Sequence, residues 1–186
     1  MWPWEHAAVG YLAWSLALRA LGRRPPTAGE AVVAILATQA PDLIDKPLSW
    51  GLGWFPTGYA VGHGAIVALV ATVALIALLR RRLAVAAVVG LWSHLLADVA
   101  AFRTGRGPDP TRVGWPLVTP TGYETEYGLT RGIVYLRRFG EAAVAEPVGT
   151  LGVPAVLGAA TLAVWVLDGA PGLAVVRSRL AGLDRR

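Results

Sequence analysis

The chain has 186 residues, one domain's worth, of which 55% are hydrophobic and only 16% charged. Soluble domains carry about 25% charged residues, so with a mean hydropathy of +0.51 this composition excludes an ordinary soluble domain and points to a membrane protein. The net charge of +5 comes from arginines gathered at the ends of apolar runs, which argues against a nucleic-acid partner, and the lack of cysteine excludes disulfides and thiolate metal sites.

The first residues carry Trp2 and Trp4 rather than positive charge, so no cleavable signal peptide is expected. Two short apolar segments follow, 7–21 and 31–40, which need flanking residues or burial against neighbours to span a bilayer. Three longer runs, 60–79, 83–102 and 148–167, each reach the ~20 residues of a membrane helix. The expected fold is all-α, a multi-pass transmembrane helical bundle of about five helices. Residues 1–102 form a four-helix core, 103–147 an extracytoplasmic loop or amphipathic segment, 148–167 the last membrane helix and 168–186 a basic cytoplasmic tail.

Arginine sets the direction. In an up-and-down bundle Arg19, Arg23 and Arg24 after the first helix, Arg80, Arg81 and Arg82 after the third, and Arg177, Arg179, Arg185 and Arg186 after the fifth share one face, against Glu30, Asp168 and Asp184. The positive-inside rule makes that face cytoplasmic, in the plasma membrane, with the N-terminus extracytoplasmic and the C-terminus cytoplasmic.

The three histidines of the chain then approach the extracytoplasmic end together: His6 opens helix one, His63 opens helix three and His94 lies in the outer half of helix four. Asp42 and Asp45 follow Pro41 at the outer end of helix two, three apart, and share a face if the helix runs on past the proline. His94 and Asp98 are i and i+4, on one face about 6 Å apart. A carboxylate inside an apolar span costs ~2.5–3.5 kcal/mol even on the insertion scale, which makes the pair a functional-site candidate; its bland alternative is an ion pair between Asp98 and Arg103. Histidine and carboxylate without cysteine suit Zn2+, with Mn2+ or Fe2+ as other candidates. Six candidate ligands, His6, Asp42, Asp45, His63, His94 and Asp98, exceed one open catalytic site. Either two ions share them, or one ion takes some and the rest orient ligands or act as general base, for which Asp45 and Asp98 are the candidates.

An early His6, APDLIDKPL at 40–48, GHGAIVAL at 62–69, SHLLAD at 93–98 and WPLVTP at 115–120 together resemble the membrane-bound metal-dependent hydrolases, also described as LexA-binding, inner-membrane-associated hydrolases, and are closest to archaeal members. The resemblance covers roughly residues 1–120. It implies a multi-pass membrane protein with His6, Asp42, Asp45, His63, His94 and Asp98 as metal-site residues. One departure stands out: many members carry a His-Arg pair a few residues before the histidine matching His63, where this chain has Gly58-Tyr59.

A site at the outer membrane–water boundary favours a membrane lipid or membrane-surface substrate. Arg103, Arg106 and Arg112 follow Asp98 closely enough to clamp a phosphate, although headgroup contact explains them equally well. The expected reaction is hydrolysis of a phosphoester in a lipid or lipid-linked substrate by metal-activated water. The segment 123–146 is partly amphipathic and suits a lid over the site or a linker. No G-x-S-x-G motif is present, which argues against a serine lipase. The competing reading is a non-catalytic membrane metal-binding protein or a transporter built on the same polar cluster.

Overall fold

The computed structural model describes residues 1–100 and 107–173; Arg103, Arg106 and the tail arginines Arg177, Arg179, Arg185 and Arg186 lie outside the described residues. All regular structure among the described residues is helical. Helix α1 (Pro3–Ala20) starts with a proline in its first turn, where no N–H is needed, and Trp2 N donates to Glu5 Oε2 at 2.8 Å. Helix α2 (Ala28–Lys46) starts at a capping box: Glu30 N donates to Thr27 Oγ1 at 3.3 Å and Thr27 N to Glu30 Oε2 at 3.1 Å. It runs through Pro41, as the Asp42–Asp45 spacing requires, and passes into a π-helical turn, Pro47–Gly51.

Helix α3 (Ala65–Leu78) has 14 residues, shorter than the apolar run that encodes it. The reason is local. Ala60, Gly62 and His63 turn their backbone N–H groups onto the Asp45 carboxylate, so the start of the run becomes a loop and the helix begins after Gly64. Helix α4 (Arg81–Ala100) follows, and α6 (Pro147–Leu167) is the last among the described residues. Between them lie two short 3-10 turns and a helix the hydropathy runs do not show, α5 (Arg131–Ala145), the amphipathic part of the 103–147 segment. The described residues thus form six α-helices where about five are expected. By length and composition two of them, α4 and α6, qualify as membrane spans, with α3 a shorter apolar helix.

Helices α1, α2 and α4 pack together around Trp14, Leu18, Ala34 and Ala86, while α3 lies on α4 through Ala68, Leu91 and Leu95. Glycines permit the closest approaches. A Cβ at Gly10 would sit 2.2 Å from Thr38 Cγ2, and one at Gly90 would sit 2.2 Å from the Ala34 carbonyl oxygen. Helix α6 packs on α1 but buries none of its own residues, and α3 leaves Leu69, Val70 and Val73 more than half exposed. Such bare apolar faces suit a hydrocarbon solvent.

The arginines close one end. Glu30 accepts from Arg24 Nη2 at 2.9 Å and Arg82 Nε at 2.8 Å, and Asp168 accepts from Tyr11 Oη at 2.7 Å, Ser15 Oγ at 2.6 Å and Arg19 Nη2 at 2.6 Å. These contacts gather the ends of α1 and α6 with the starts of α2 and α4. The opposite ends of α1, α2 and α4 carry His6, Asp42, Asp45, His94 and Asp98.

Candidate metal centre

All six predicted ligands meet. His6 comes from the start of α1, Asp42 and Asp45 from the end of α2, His63 from the loop before α3, and His94 and Asp98 from the last turns of α4. His6, Asp45, His63, His94 and Asp98 are each at most 3% exposed, and Asp42 is partly buried. The apolar surroundings of His94 and Asp98 are the walls of this cluster.

Asp45 differs from the other five. Its Oδ2 accepts from His63 Nδ1 at 2.7 Å, and from the N–H groups of Ala60 at 2.8 Å and His63 at 3.0 Å; Oδ1 accepts from Gly62 N at 2.8 Å. These are ordinary hydrogen bonds. They place the His63 proton on Nδ1 and leave the Nε2 lone pair aimed away from Asp45, at the rest of the cluster. Asp45, expected as both ligand and base, instead stands behind His63 with both oxygens occupied.

The remaining contacts are longer. His63 Nε2 lies 3.1 Å from His94 Nε2, 3.5 Å from Asp98 Oδ2 and 3.6 Å from Asp42 Oδ1. His94 Nε2 is 3.4 Å from Asp98 Oδ2, and His6 Nε2 is 3.3 Å from Asp98 Oδ1, with the His6 and His94 rings stacked at 3.8 Å. Most of these are too long for good N–H···O bonds, which centre on about 2.9–3.0 Å. They match another geometry: two ligands each about 2.0–2.1 Å from a tetrahedral zinc ion lie roughly 3.4 Å apart. Two three-residue groups, His6–His94–Asp98 and Asp42–His63–His94, have ligand atoms mutually within 4.8 Å. Asp98 turns Oδ1 to His6 and to the N-terminal amine of Met1, 3.4 Å away, and Oδ2 to His63 and His94. Buried Nδ1 atoms of His6 and His94 lack a partner, so these imidazoles are not held in place by hydrogen bonds to their far side. The donor set therefore fits one or two divalent ions.

The cluster forms one end of a cavity of about 1050 Å³, where His6, Asp42 and Asp98 are joined by Lys46, Tyr59 and Arg112. Lys46 pairs with Asp42, not with Asp45, because residues four apart share a helix face and adjacent ones do not. Arg112, the described member of the predicted arginine trio, donates from Nη1 to the Asp98 carbonyl at 3.1 Å and from Nε to Asp109 Oδ2 at 3.3 Å, and lies 5.3 Å from the Tyr59 ring. Arg112 thus brings a guanidinium beside the Gly58-Tyr59 position.

Sequence reasoning misses Tyr59 and Tyr123. The Tyr59 ring stands edge-on to His63 at 4.9 Å, and burial, with Asp98 nearby, pushes its hydroxyl above its ordinary value, so it keeps its proton. Tyr123 Oη accepts from Trp50 Nε1 at 3.1 Å and Gly58 N at 3.0 Å, while the Arg131 guanidinium covers its ring at 3.5 Å. It fastens the segment before α5 to the loop that carries Tyr59. Neither tyrosine sits in a spacing pattern that marks it. A signal does exist for Lys46, the one lysine, four residues after Asp42.

No curated protein and no solved structure matches the chain. A family model, YdjM inner membrane protein, matches residues 1–169, which take in the six α-helices α1–α6 of the described residues and every residue of the cluster. The chain belongs to the YdjM inner membrane protein family.

Proposed function

We propose that the protein is a membrane-embedded, metal-dependent hydrolase that cleaves a phosphoester of a lipid or lipid-linked substrate at the extracytoplasmic face. The observation that carries this reading is the set of 3.1–3.6 Å separations among His63, His94, Asp98 and Asp42, buried at the end of an open cavity. Zn2+ suits these donors best, as one or two ions, with Mn2+ or Fe2+ as other candidates. The resemblance of the motifs to metal-dependent hydrolases agrees with it. Two helices, α4 and α6, have the length and composition of membrane spans; if α1, α2 and α3 also cross and α5 lies at the surface, the arginine distribution would put the cluster on the outer side.

A Zn2+ ion held by His6, His94 and Asp98, or by Asp42, His63 and His94, would lower the pKa of a water to about 7 and polarise the scissile group. The chain's own residues do the rest. Asp45 holds His63 with its Nε2 free to ligate, a supporting role that typically changes metal affinity about 10–100-fold. With an ion held through one Asp98 oxygen, the other would be free to take a proton from water. Lys46 and Arg112 offer positive charge to a phosphate. Tyr59 retains a proton to donate to a phosphoryl or leaving-group oxygen.

Purified protein is expected to contain at least one equivalent of metal and to hydrolyse a phosphodiester or phosphomonoester in a chelator-sensitive manner. Substoichiometric metal overturns the reading, and metal without chelator-sensitive turnover on phosphoesters or carboxyl esters supports the non-catalytic alternative. Tyr59→Phe keeps the ring beside His63 and removes only the hydroxyl. It is expected to retain full metal and to lose about tenfold in kcat, the worth of one hydrogen bond of ~1.4 kcal/mol; unchanged kcat would remove Tyr59 from the machinery.

A further inference from the structure

The cavity is far larger than the cluster at its end. Its other wall is the pair α5–α6: Gly132, Tyr135, Leu136, Phe139 and Ala142 all line it, together with Gly149 and Val153 of α6. The α5 residues fall at i, i+3, i+4, i+7 and i+10, one full stripe of an amphipathic helix. Such a stripe normally packs against protein, yet α5 packs on α6 and the 3-10 turn before it, and meets α1 through Phe139 edge-on to Trp2 at 4.9 Å and Trp4 at 5.9 Å. Leu136, in the middle of the stripe, remains 55% exposed.

We infer that this second half of the cavity is a subsite for the aliphatic chain of an anionic amphiphile. The chain lies between the start of α1 and the α5–α6 hairpin while its charged head reaches the cluster. The inference rests on the hydrolase reading only for what happens at the head. Continuity and charge identify the occupant. One cavity is lined both by the apolar stripe and by Asp42, Asp98, Lys46 and Arg112; Lys46 is paired with Asp42 and Arg112 with Asp109, so with a divalent ion on the cluster this end would carry net positive charge and suit a phosphate head. The cavity is also lined by Trp2, Trp4, Leu136, Phe139 and Val153, with Arg138 and Glu146 exposed at its edge. A small soluble phosphoester would leave this apolar wall uncovered. Burying each methylene of a chain along it is worth about 0.8 kcal/mol, so affinity grows with chain length until the subsite is filled.

The test uses a non-hydrolysable probe, a long-chain alkyl phosphonate with a diazirine at the end of the chain, on the full-length protein in detergent. Photolabelling is expected on α5–α6 peptides, displaced by unlabelled long-chain phosphonate and not by methylphosphonate. Gly149 lines the cavity, and the nearest atom to an added Cβ is Glu146 Oε2 at 3.9 Å, so Gly149→Leu adds bulk at the subsite with no clash at its Cβ. Labelling is expected to fall at least tenfold in this variant and to persist in Gly158→Leu, where an added Cβ meets nothing within 4 Å and which does not line this cavity. Label confined to the exposed faces of α3 and α6, or unchanged by Gly149→Leu, overturns the subsite, as does cross-linking of two copies through α5. Label on α5–α6 in protein shown to lack metal sustains the subsite and removes the hydrolase reading instead.

Discussion

Asp98→Asn is expected to lose its bound metal and with it hydrolysis, by more than about a thousandfold, while the fold remains. Both oxygens of Asp98 face the cluster: Oδ1 lies 3.3 Å from His6 Nε2, and Oδ2 lies 3.5 Å from His63 Nε2 and 3.4 Å from His94 Nε2. An amide keeps the shape but removes the charge and turns one of the two ligand atoms into a donor without a free lone pair. In metal-free protein the amide gives up the contact between Oδ1 and the N-terminal amine of Met1 at 3.4 Å along with the charge beside the three histidines, and in exchange buries no charge in the apolar helix. The two effects separate cleanly. Chelator-treated wild type and variant should both melt cooperatively, and the difference between them is the baseline for the metal effect. Adding metal at a thousand times the dissociation constant should stabilise the wild type by about 4 kcal/mol and the variant not at all. Elemental analysis and melting with and without metal read both quantities, and full metal stoichiometry in Asp98→Asn would dismiss the cluster as a metal centre.

Much of this cluster is legible in the sequence. Ionisable residues in an apolar run are expensive, so His94 and Asp98 announce themselves. The arginines give the helices an alternating direction, and that alone sends His6, Asp42 and His63 to the same end. The structure brings His6, Asp42, His63, His94 and Asp98 within reach of one another. Asp45 is legible as a member but not by role, because its partners are backbone N–H groups of Ala60, Gly62 and His63, and a loop folding back onto a helix end leaves no periodicity. The same contacts explain why α3 is shorter than its apolar run. The amphipathic character of the 123–146 segment is visible, but the surface its apolar stripe faces is not, since that stripe borders a cavity instead of a partner helix. Arg112 is legible as a nearby cation. Its contact with the Asp98 carbonyl depends on the path of the chain after α4, which spacing does not encode.

The second large effect concerns a residue with no chemistry of its own. Gly90 lies where α2 and α4 cross: a Cβ there would be 2.2 Å from the Ala34 carbonyl oxygen, 3.0 Å from Ala37 Cβ and 3.1 Å from the Ala34 carbonyl carbon. Two of these three atoms are backbone, so no rotamer change relieves the clash, and Gly90→Ala must separate the helices. Overpacking of this kind costs about 1–3 kcal/mol. The displacement also reaches the site. His94 is one turn beyond Gly90 on α4, while Asp42 and Asp45 lie two to three turns beyond Ala34 on α2. Moving α2 carries Asp42 away, and it takes His63 with it through the Asp45 hydrogen bond. His63 and His94, now 3.1 Å apart, would no longer reach one ion together. Gly90→Ala is therefore expected to lower both the melting temperature and metal affinity, the latter by at least tenfold, a loss of ~1.4 kcal/mol. Gly158→Ala on α6, where an added Cβ meets nothing within 4 Å, is expected to raise helix stability by up to about 1 kcal/mol and leave affinity alone. Thermal unfolding in detergent and metal titration of both variants decide the matter. A destabilised Gly90→Ala with unchanged affinity would mean that the α2–α4 spacing does not set the geometry of the centre, and that the loop at 60–63 follows α4 rather than α2.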